Sequence, residues 1–153
     1  MTFNFWAKWE AWHNWSRLMD FGSGQENQNI YIGNQGTTNN LMFHIMEGTT
    51  TKHMLYCSGT LELDTWVMIT CTVDETGLMK AYKNGEPAGA FTGATPDMIT
   101  RTHQYFGRSN WSADQYFQGV IDEVIIYDTV LTDEEIMGLY LQSENIIPPV
   151  NAT

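Results

Sequence analysis

The sequence predicts an all-β fold, a two-sheet sandwich with one short C-terminal helix. Short apolar stretches alternate along most of the chain with turns rich in Gly, Asn and Asp. The dipeptide Asn84-Gly85 supplies the positive φ that a tight β-hairpin needs. Only the segment 132–140 carries the signals of a helix. Strands at this spacing with a single late helix are typical of a β-sandwich.

Turns separate the predicted strands in chain order. Gly22-Ser23-Gly24 and the polar stretch 33–40 interrupt the first half of the chain, because these residues favour turns. In the stretch 66–73 the apolar residues at odd positions share one face, as in a strand with one side in a core. The predicted strands before the last one are 2–9, 17–22, 28–32, 41–46, 54–57, 66–73, 78–83 and a short one that ends at Gly107-Arg108.

The last predicted strand, 116–127, follows the polar loop 109–115. Even-numbered positions from Val120 to Ile126 share one face, and odd-numbered positions from Ile121 to Tyr127 share the other. Both faces are largely apolar. A strand with two apolar faces is expected at the centre of a sheet.

A helix start follows this strand. The hydroxyl of Thr132 can accept from the backbone N–H of Glu135, and the Glu135 carboxylate can accept from the N–H of Thr132, which is a capping box. Leu131 and Ile136 occupy the hydrophobic staple positions. Asp133 and its acidic neighbours favour the positive end of the helix dipole.

The segment 106–140 also resembles a known family. Its order is Gly-Arg, then aromatic-x-Gly-x-Ile-Asp-Glu-Val-x-Ile-Tyr, then Leu-Thr-x-Glu-Glu-Ile. This order resembles the end of laminin-G-like, concanavalin A-like jelly-roll domains. The resemblance implies an antiparallel jelly roll over residues 1–143 and a linker or tail over 144–153. Such domains normally have one more strand before the position of Thr2, so we expect that strand to be missing or replaced here.

Charge and hydropathy argue against two classes of partner. The chain has 7 Lys and Arg against 18 Asp and Glu, a net charge of −11. So few basic residues argue against nucleic acids and anionic membranes, because both present phosphates. No stretch approaches the roughly 20 apolar residues of a membrane span, so membrane insertion is not expected.

The only cysteines, Cys57 and Cys71, lie in apolar predicted strands. If those strands form a simple hairpin, Cys71 lies opposite a residue near Lys52 and not opposite Cys57. A disulfide is therefore not expected. We predict two buried free thiols.

Catalytic motifs are incomplete. The nearest is Glu62-x-Asp64, but retaining glycosidases place two carboxyl groups about 5–5.5 Å apart. Trp66 or Val67 stands where jelly-roll glucanases carry the second Glu. Asp122 and Glu123 are adjacent, so in a regular strand they point to opposite faces. We predict a protein without catalytic activity and interpret Glu62-x-Asp64 as a turn.

Tryptophans recur at every third position from Trp6 to Trp15. Trp6 and Trp9 point to opposite faces of their strand and are expected in the core. Trp12 falls in the polar turn that follows the strand. It is therefore a candidate ligand contact.

The loop 109–115 is the second place for ligand contacts, since function concentrates in loops on a rigid sandwich. Trp111 is its aromatic residue. Aromatic rings bind the C–H faces of sugars, and polar side chains bind hydroxyls. An alternative with equal weight is that Trp111 only packs over its own turn. The predicted ligand-binding residues are Trp111, Asn110, Arg108, Asp114 and Trp12.

The resemblance implies that the domain recognises a carbohydrate or a protein. Domains of this kind often bind a calcium ion, so calcium is the expected cofactor. On matching positions Asp122 is the main candidate calcium ligand and Asp20 a weaker one, because calcium prefers carboxylate oxygens. Alternatively, Asp122 pairs with Arg17 or Arg108 inside the sandwich, where a buried carboxylate needs such a partner.

Three functional interpretations follow. The preferred one is a non-catalytic, calcium-assisted carbohydrate-binding or adhesion module of a larger secreted or cell-surface protein, with a glycan or an extracellular protein as its partner. The second is a structural or assembly domain that binds partner proteins without sugar. The third is a degenerate glycoside hydrolase. Asn-x-Ser/Thr triplets at Asn14, Asn110 and Asn151 give weak support to an extracellular location.

Overall fold

A computed structural model describes residues 1–146 of the chain. The part of the predicted tail 144–153 that begins at residue 147, with the Asn151 sequon, lies outside the described residues. The elements are β1 (Thr2–Trp9), β2 (Arg17–Gly22), β3 (Ile30–Asn34), β4 (Leu41–Glu47), β5 (Thr51–Cys57), β6 (Trp66–Val73), β7 (Leu78–Lys83), β8 (Glu86–Thr92), β9 (His103–Phe106), β10 (Gly119–Tyr127) and α1 (Asp133–Ile146).

The strands form two antiparallel five-stranded sheets, which confirms the predicted jelly-roll sandwich. Sheet A has the order β10-β1-β6-β7-β8, and sheet B has the order β5-β4-β3-β2-β9. In sheet A, Phe3 of β1 lies opposite Cys71 of β6 on one side and Ile126 of β10 on the other.

The two sheets enclose one main core. Phe3, Phe5 and Trp9 of β1 face it and are buried, and Phe3 packs edge-on against Phe43 of sheet B. Trp6 points to the opposite face of sheet A, beneath α1. The prediction that Trp6 and Trp9 are core residues on opposite faces is therefore confirmed.

Strand β10 lies at the edge of sheet A, so the prediction of a central strand is wrong. Among the described strands it pairs with β1 alone. Its apolar residues Val120, Val124, Ile125 and Ile126 are between 38% and 42% exposed. Apolar residues on both faces of a strand do not determine whether the sheet has a neighbouring strand on one side of it or on both.

A β-bulge interrupts the pairing of β1 with β10. The register shifts between Asn4 and Trp6, and Glu123 has a φ of 46°. A bulge inserts an extra residue and turns the side chains that follow. Asp122 and Glu123 consequently line the same pocket on the outer face of sheet A. The prediction that these two carboxylates point to opposite faces is wrong for this reason.

The predicted capping box forms at the start of α1. The N–H of Thr132 donates to Glu135 Oε2 at 2.8 Å, and the N–H of Glu135 donates to Thr132 Oγ1 at 3.2 Å. Leu131 and Ile136 pack with Trp6 on the outer face of sheet A. The helix continues to Ile146, three residues beyond the predicted domain boundary at 143.

Both cysteines are buried free thiols, as predicted. Cys57 lies on β5 of sheet B and Cys71 on β6 of sheet A, so the two strands are not a hairpin. Burial raises the pKa of the Cys57 thiol to about 11 and that of Cys71 as well.

Candidate functional site

The loop 107–118 joins β9 to β10 and, together with β9, forms a cleft of about 440 Å³. The loop is closed at its base, because the N–H of Phe117 donates to the carbonyl of Gly107 at 2.9 Å. The N–H of Gln115 donates to the carbonyl of Asn14 at 3.0 Å, which fixes the loop to the β1–β2 turn. The cleft is lined by residues that include His103, Tyr105, Arg108, Asn110, Trp111, Asp114 and Tyr116.

Asp20 holds this loop from below. Its side chain is buried, Oδ2 accepts from the backbone N–H of Asn110 at 2.9 Å, and Oδ1 accepts from Asn110 Nδ2 at 2.8 Å. Asn29 Nδ2 donates to Oδ1 as well, at 2.9 Å. Charge-assisted bonds of this kind are among the stronger ones in proteins. Asp20 is therefore the anchor that sets the position of Asn110 in the cleft.

A second anchor is the ion pair between Arg17 and Asp114. Arg17 Nη2 donates to Asp114 Oδ2 at 3.0 Å, and Ser109 Oγ donates to the same oxygen at 2.8 Å. Burial lowers the pKa of Arg17, and the carboxylate of Asp114 opposes that shift. The buried Arg17 guanidinium thus fixes the position of Asp114, which lines the cleft.

Trp111 is half-buried and forms part of this wall. Its ring packs edge-on against Tyr31 with centroids 5.3 Å apart, and the Arg17 guanidinium lies 5.6 Å from the Trp111 centroid. Trp111 therefore packs on sheet B and also lines the cleft. The ring packs against a residue of sheet B and not only over its own turn, and its role as a ligand contact stays a prediction.

Arg108 is the exposed cation of the cleft. Its guanidinium carbon lies 4.6 Å from the centroid of Tyr105 and 5.9 Å from that of Tyr116, which is 65% exposed. Among the side chains that the structure describes, those of residues 1–143, no carboxylate forms an ion pair with Arg108. A guanidinium presents five N–H donors in a planar fork, so Arg108 is held by aromatic faces while its donors can meet a ligand.

Four of the five predicted ligand-binding residues meet in the cleft: Trp111, Asn110, Arg108 and Asp114. Trp12 does not line it, because its ring packs against the main core. Sequence reasoning missed His103, Tyr105 and Tyr116. The available signal was the alternation of His103 and Tyr105 in a short strand, which places both on one face.

The two candidate calcium ligands lie in different sheets, Asp20 on β2 and Asp122 on β10. Asp20 already accepts three N–H donors at 2.9 Å or less, which fits a hydrogen-bonded anchor better than a cation ligand. Asp122 accepts from the N–H of Glu123 at 2.7 Å and forms no ion pair with Arg17 or Arg108. Over the described chain, no three His, Cys, Asp or Glu side chains group as a metal site.

The Glu62-x-Asp64 motif lies in the turn before β6, as predicted. Asp64 has a φ of 54°, a left-handed backbone conformation, and Glu62 pairs with Lys83. Trp66 begins the strand where a second catalytic Glu would stand.

A family model described as the concanavalin A-like lectin/glucanases superfamily matches residues 1–137. The chain belongs to this superfamily. No curated protein sequence matches the chain. The structure contains no helix, within residues 1–146, with the length and apolar character needed to cross a membrane.

Several solved structures have a fold similar to that of this chain. The Ruminococcus gnavus IT-sialidase CBM40 is 16% identical, with a TM-score of 0.77 over 91% of this chain and 81% of its own. Domain 4 of AbnA, a GH43 extracellular arabinanase from Geobacillus stearothermophilus, is 22% identical, with a TM-score of 0.71 over 91% and 65%. The receptor-binding domain of botulinum neurotoxin mosaic serotype C/D is 18% identical, with a TM-score of 0.70 over 92% and 36%.

Proposed function

We propose that this domain is a non-catalytic carbohydrate-binding module and that the cleft of the 107–118 loop is its binding site. The observation that carries the proposal is Arg108, held between Tyr105 and Tyr116 without an ion-pair partner in the described chain. Aromatic faces suit the C–H surface of a sugar ring. A free guanidinium suits its hydroxyl or carboxylate oxygens.

The similar structures support the same class of ligand. The R. gnavus CBM40 has been solved with α2,3- and α2,6-sialyllactose, and the AbnA domain with arabinotriose. Sialyllactose carries a carboxylate, whereas arabinotriose is neutral. We propose that the free donors of Arg108 favour a glycan with a carboxylate, because a bidentate pair of this type is strong and directional.

The test is a calorimetric titration with sialyllactose, lactose and arabinotriose. We expect sialyllactose to bind and Arg108→Gln to weaken it about 10-fold to 100-fold, since hydrogen bonds to charged groups contribute roughly 1.5–3 kcal/mol. Lys52→Gln is the matched control, because it removes one positive charge at the opposite edge of sheet B. If none of the three sugars binds, or if both variants bind like the native protein, the proposal fails.

Secretion, attachment to a larger surface protein and calcium assistance belong to the same proposal. Repeating the titration with a chelator separates the calcium part. An unchanged affinity for sialyllactose would remove calcium from the proposal and leave the cleft in it.

A second candidate function is assembly with partner proteins. One observation favours it: β10 is an edge strand with four partly exposed apolar residues. Such edges pair with other strands unless they are protected. Sedimentation at rising protein concentration should then show self-association that Val124→Lys abolishes and Thr92→Lys, on the edge strand of the other side of sheet A, does not. A protein that stays monomeric throughout does not assemble with itself through β10.

A further inference from the structure

His103 and Arg108 both line the cleft of the 107–118 loop. We propose that His103 determines specificity there: its protonation adds a second positive charge near Arg108 and strengthens the binding of a glycan that carries a carboxylate. The affinity for such a glycan then rises as the pH falls. The inference rests on the proposed function of the cleft and adds a pH dependence to it.

The strand register brings the His103 ring close to Arg108. His103 and Tyr105 are two residues apart on β9 and share one face of sheet B. Their rings pack edge-on with centroids 6.2 Å apart, and the Arg108 guanidinium carbon lies 4.6 Å from the Tyr105 centroid. Tyr105 thus contacts both groups. A ligand that packs on Tyr105 therefore lies near the imidazole and the guanidinium together.

The backbone of His103 is fixed while its side chain is exposed. Its strand pairs with β2, where Gly22 is the residue opposite. The Asn110 amide donates to the His103 carbonyl at 3.3 Å and to Asp20 Oδ1 at 2.8 Å. The anchor of the loop and the backbone that carries the imidazole are therefore held in one arrangement.

A hydroxyl holds the imidazole ring in both of its charge states. Thr102 Oγ1 lies 2.9 Å from His103 Nδ1. A hydroxyl donates to the lone pair of a neutral imidazole and accepts from the N–H of a protonated one. Protonation therefore keeps this hydrogen bond and adds a charge to a ring that stays in place.

Two carboxylates lie near the cleft, and both already have partners. Asp114 forms an ion pair with Arg17 at 3.0 Å. Asp20 of β2 is buried and accepts three N–H donors at 2.9 Å or less. Among the side chains of residues 1–143, no carboxylate forms an ion pair with His103. A protonated His103 therefore has no counter-ion in this part of the chain.

The other ionisable groups around the imidazole add no negative charge. Arg108 is a cation, and the guanidinium of Arg101 donates to two backbone carbonyls. The phenols of Tyr105 and Tyr116 line the cleft, and phenols are neutral well above pH 8. His13, in the β1–β2 turn, lies with Nδ1 2.9 Å from the carbonyl of Tyr116. The negative charge that would balance the imidazolium must therefore come from a ligand.

A ligand carboxylate couples binding to protonation. Histidine is the side-chain type that changes charge between about pH 5 and 8, whereas carboxyl groups stay ionised above about pH 5. A bound carboxylate attracts the imidazolium, so it favours protonation of His103. By reciprocity, protonation raises the affinity for the carboxylate by the same factor. A neutral sugar gains nothing from the second charge.

The test is calorimetry with α2,3-sialyllactose at pH 7.5 and pH 5.5. We expect the native affinity to rise about 2-fold to 5-fold at the lower pH, the effect of one exposed charge pair. At pH 6.5, titrations in buffers of different ionisation enthalpy should show uptake of part of a proton on binding. His103→Gln should abolish the uptake and flatten the pH profile. His103→Lys, with a charge at both pH values, should flatten it as well.

His53→Gln is the matched control, because His53 pairs with Glu47 on the opposite edge of sheet B. It should keep the native ratio of affinities at the two pH values. Equal ratios in native protein and His103→Gln overturn the inference, and so does a response that His13→Gln removes instead. If sialyllactose binds and Arg108→Gln weakens it, the proposed function survives either result. Failure of sialyllactose to bind at both pH values overturns the proposed function and this inference together.

Discussion

At the scale of single residues, the candidate site depends on buried polar groups beneath an exposed surface. Asp20 and Arg17 are buried, and they position Asn110 and Asp114 through hydrogen bonds and an ion pair. Arg108 has no such support from charge and lies against aromatic rings instead. The buried layer therefore sets the shape of the cleft, while Arg108 is left to meet the ligand.

The first residue-scale prediction concerns the anchor of the loop. Asn110→Ala removes the amide that donates to Asp20 at 2.8 Å and leaves a buried carboxylate with one donor fewer. We expect the free energy of unfolding to fall by about 1–3 kcal/mol. Urea denaturation measures this change, and Asn39→Ala, at an exposed position, is the control. Equal losses in both variants would contradict the role of Asp20 as an anchor.

The second residue-scale prediction concerns His44, which is buried and bonded to the hydroxyl of Tyr31 at 2.7 Å. Burial, with a smaller effect of Arg17, lowers the pKa of His44 from 6.5 to about 3. Between these two values the unfolded chain binds more protons than the folded protein, so stability falls as the pH falls through this window.

The slope that His44 contributes is at most about 1.4 kcal/mol per pH unit. We expect the difference in unfolding free energy between native protein and His44→Gln to shrink as the pH drops from 6.5 towards 4. Other titrating groups contribute equally to both proteins and cancel in this difference. Parallel pH profiles for the two proteins would show that His44 does not keep its depressed pKa.

At the scale of elements, the loop between β9 and β10, the bulge in β10 and helix α1 each have a distinct role. The loop 107–118 forms the cleft, and the bulge gathers two carboxylates on the outer face of sheet A. Helix α1 covers Trp6, Met68 and Tyr82 on that same face. The cleft and the pocket on the outer face of sheet A are therefore both lined in part by residues of the segment 103–143.

The helix gives the element-scale prediction. Thr132→Ala removes the hydroxyl that accepts from the N–H of Glu135 at 3.2 Å. We expect a loss of about 1 kcal/mol in unfolding free energy, the usual effect of removing an N-cap. Thr100→Ala, at an exposed loop position, should change it by less than about 0.5 kcal/mol. A Thr132→Ala variant as stable as this control would mean that α1 docks without its cap.

At the scale of the whole molecule, the fold was predictable because its signals are local. Strand periodicity, the Asn84-Gly85 turn and the Thr132–Glu135 cap are each encoded within a few residues. The edge position of β10 was not predictable in this way. It depends on which strands are neighbours in space, and apolar composition does not contain that information.

The residues of the cleft were predictable only in part, because contacts between distant segments of the chain bring some of them together. Arg108, Asn110, Trp111 and Asp114 lie on one loop, so reasoning along the chain groups them. Tyr105 joins them through the pairing of β9 with β2, which is a non-local contact. The pairing of Trp6 with Asp122 across β1 and β10, and the bulge beside it, likewise required the register of two distant segments.

The measurement that tests the central claim most directly is a two-dimensional NMR titration of the native protein with α2,3-sialyllactose. The account predicts saturable shifts of the Trp111 indole N–H and of backbone signals in 103–116, and their loss in Arg108→Gln. Absence of any shift, or shifts confined to residues outside this segment, would contradict the claim that the cleft of the 107–118 loop binds carbohydrate.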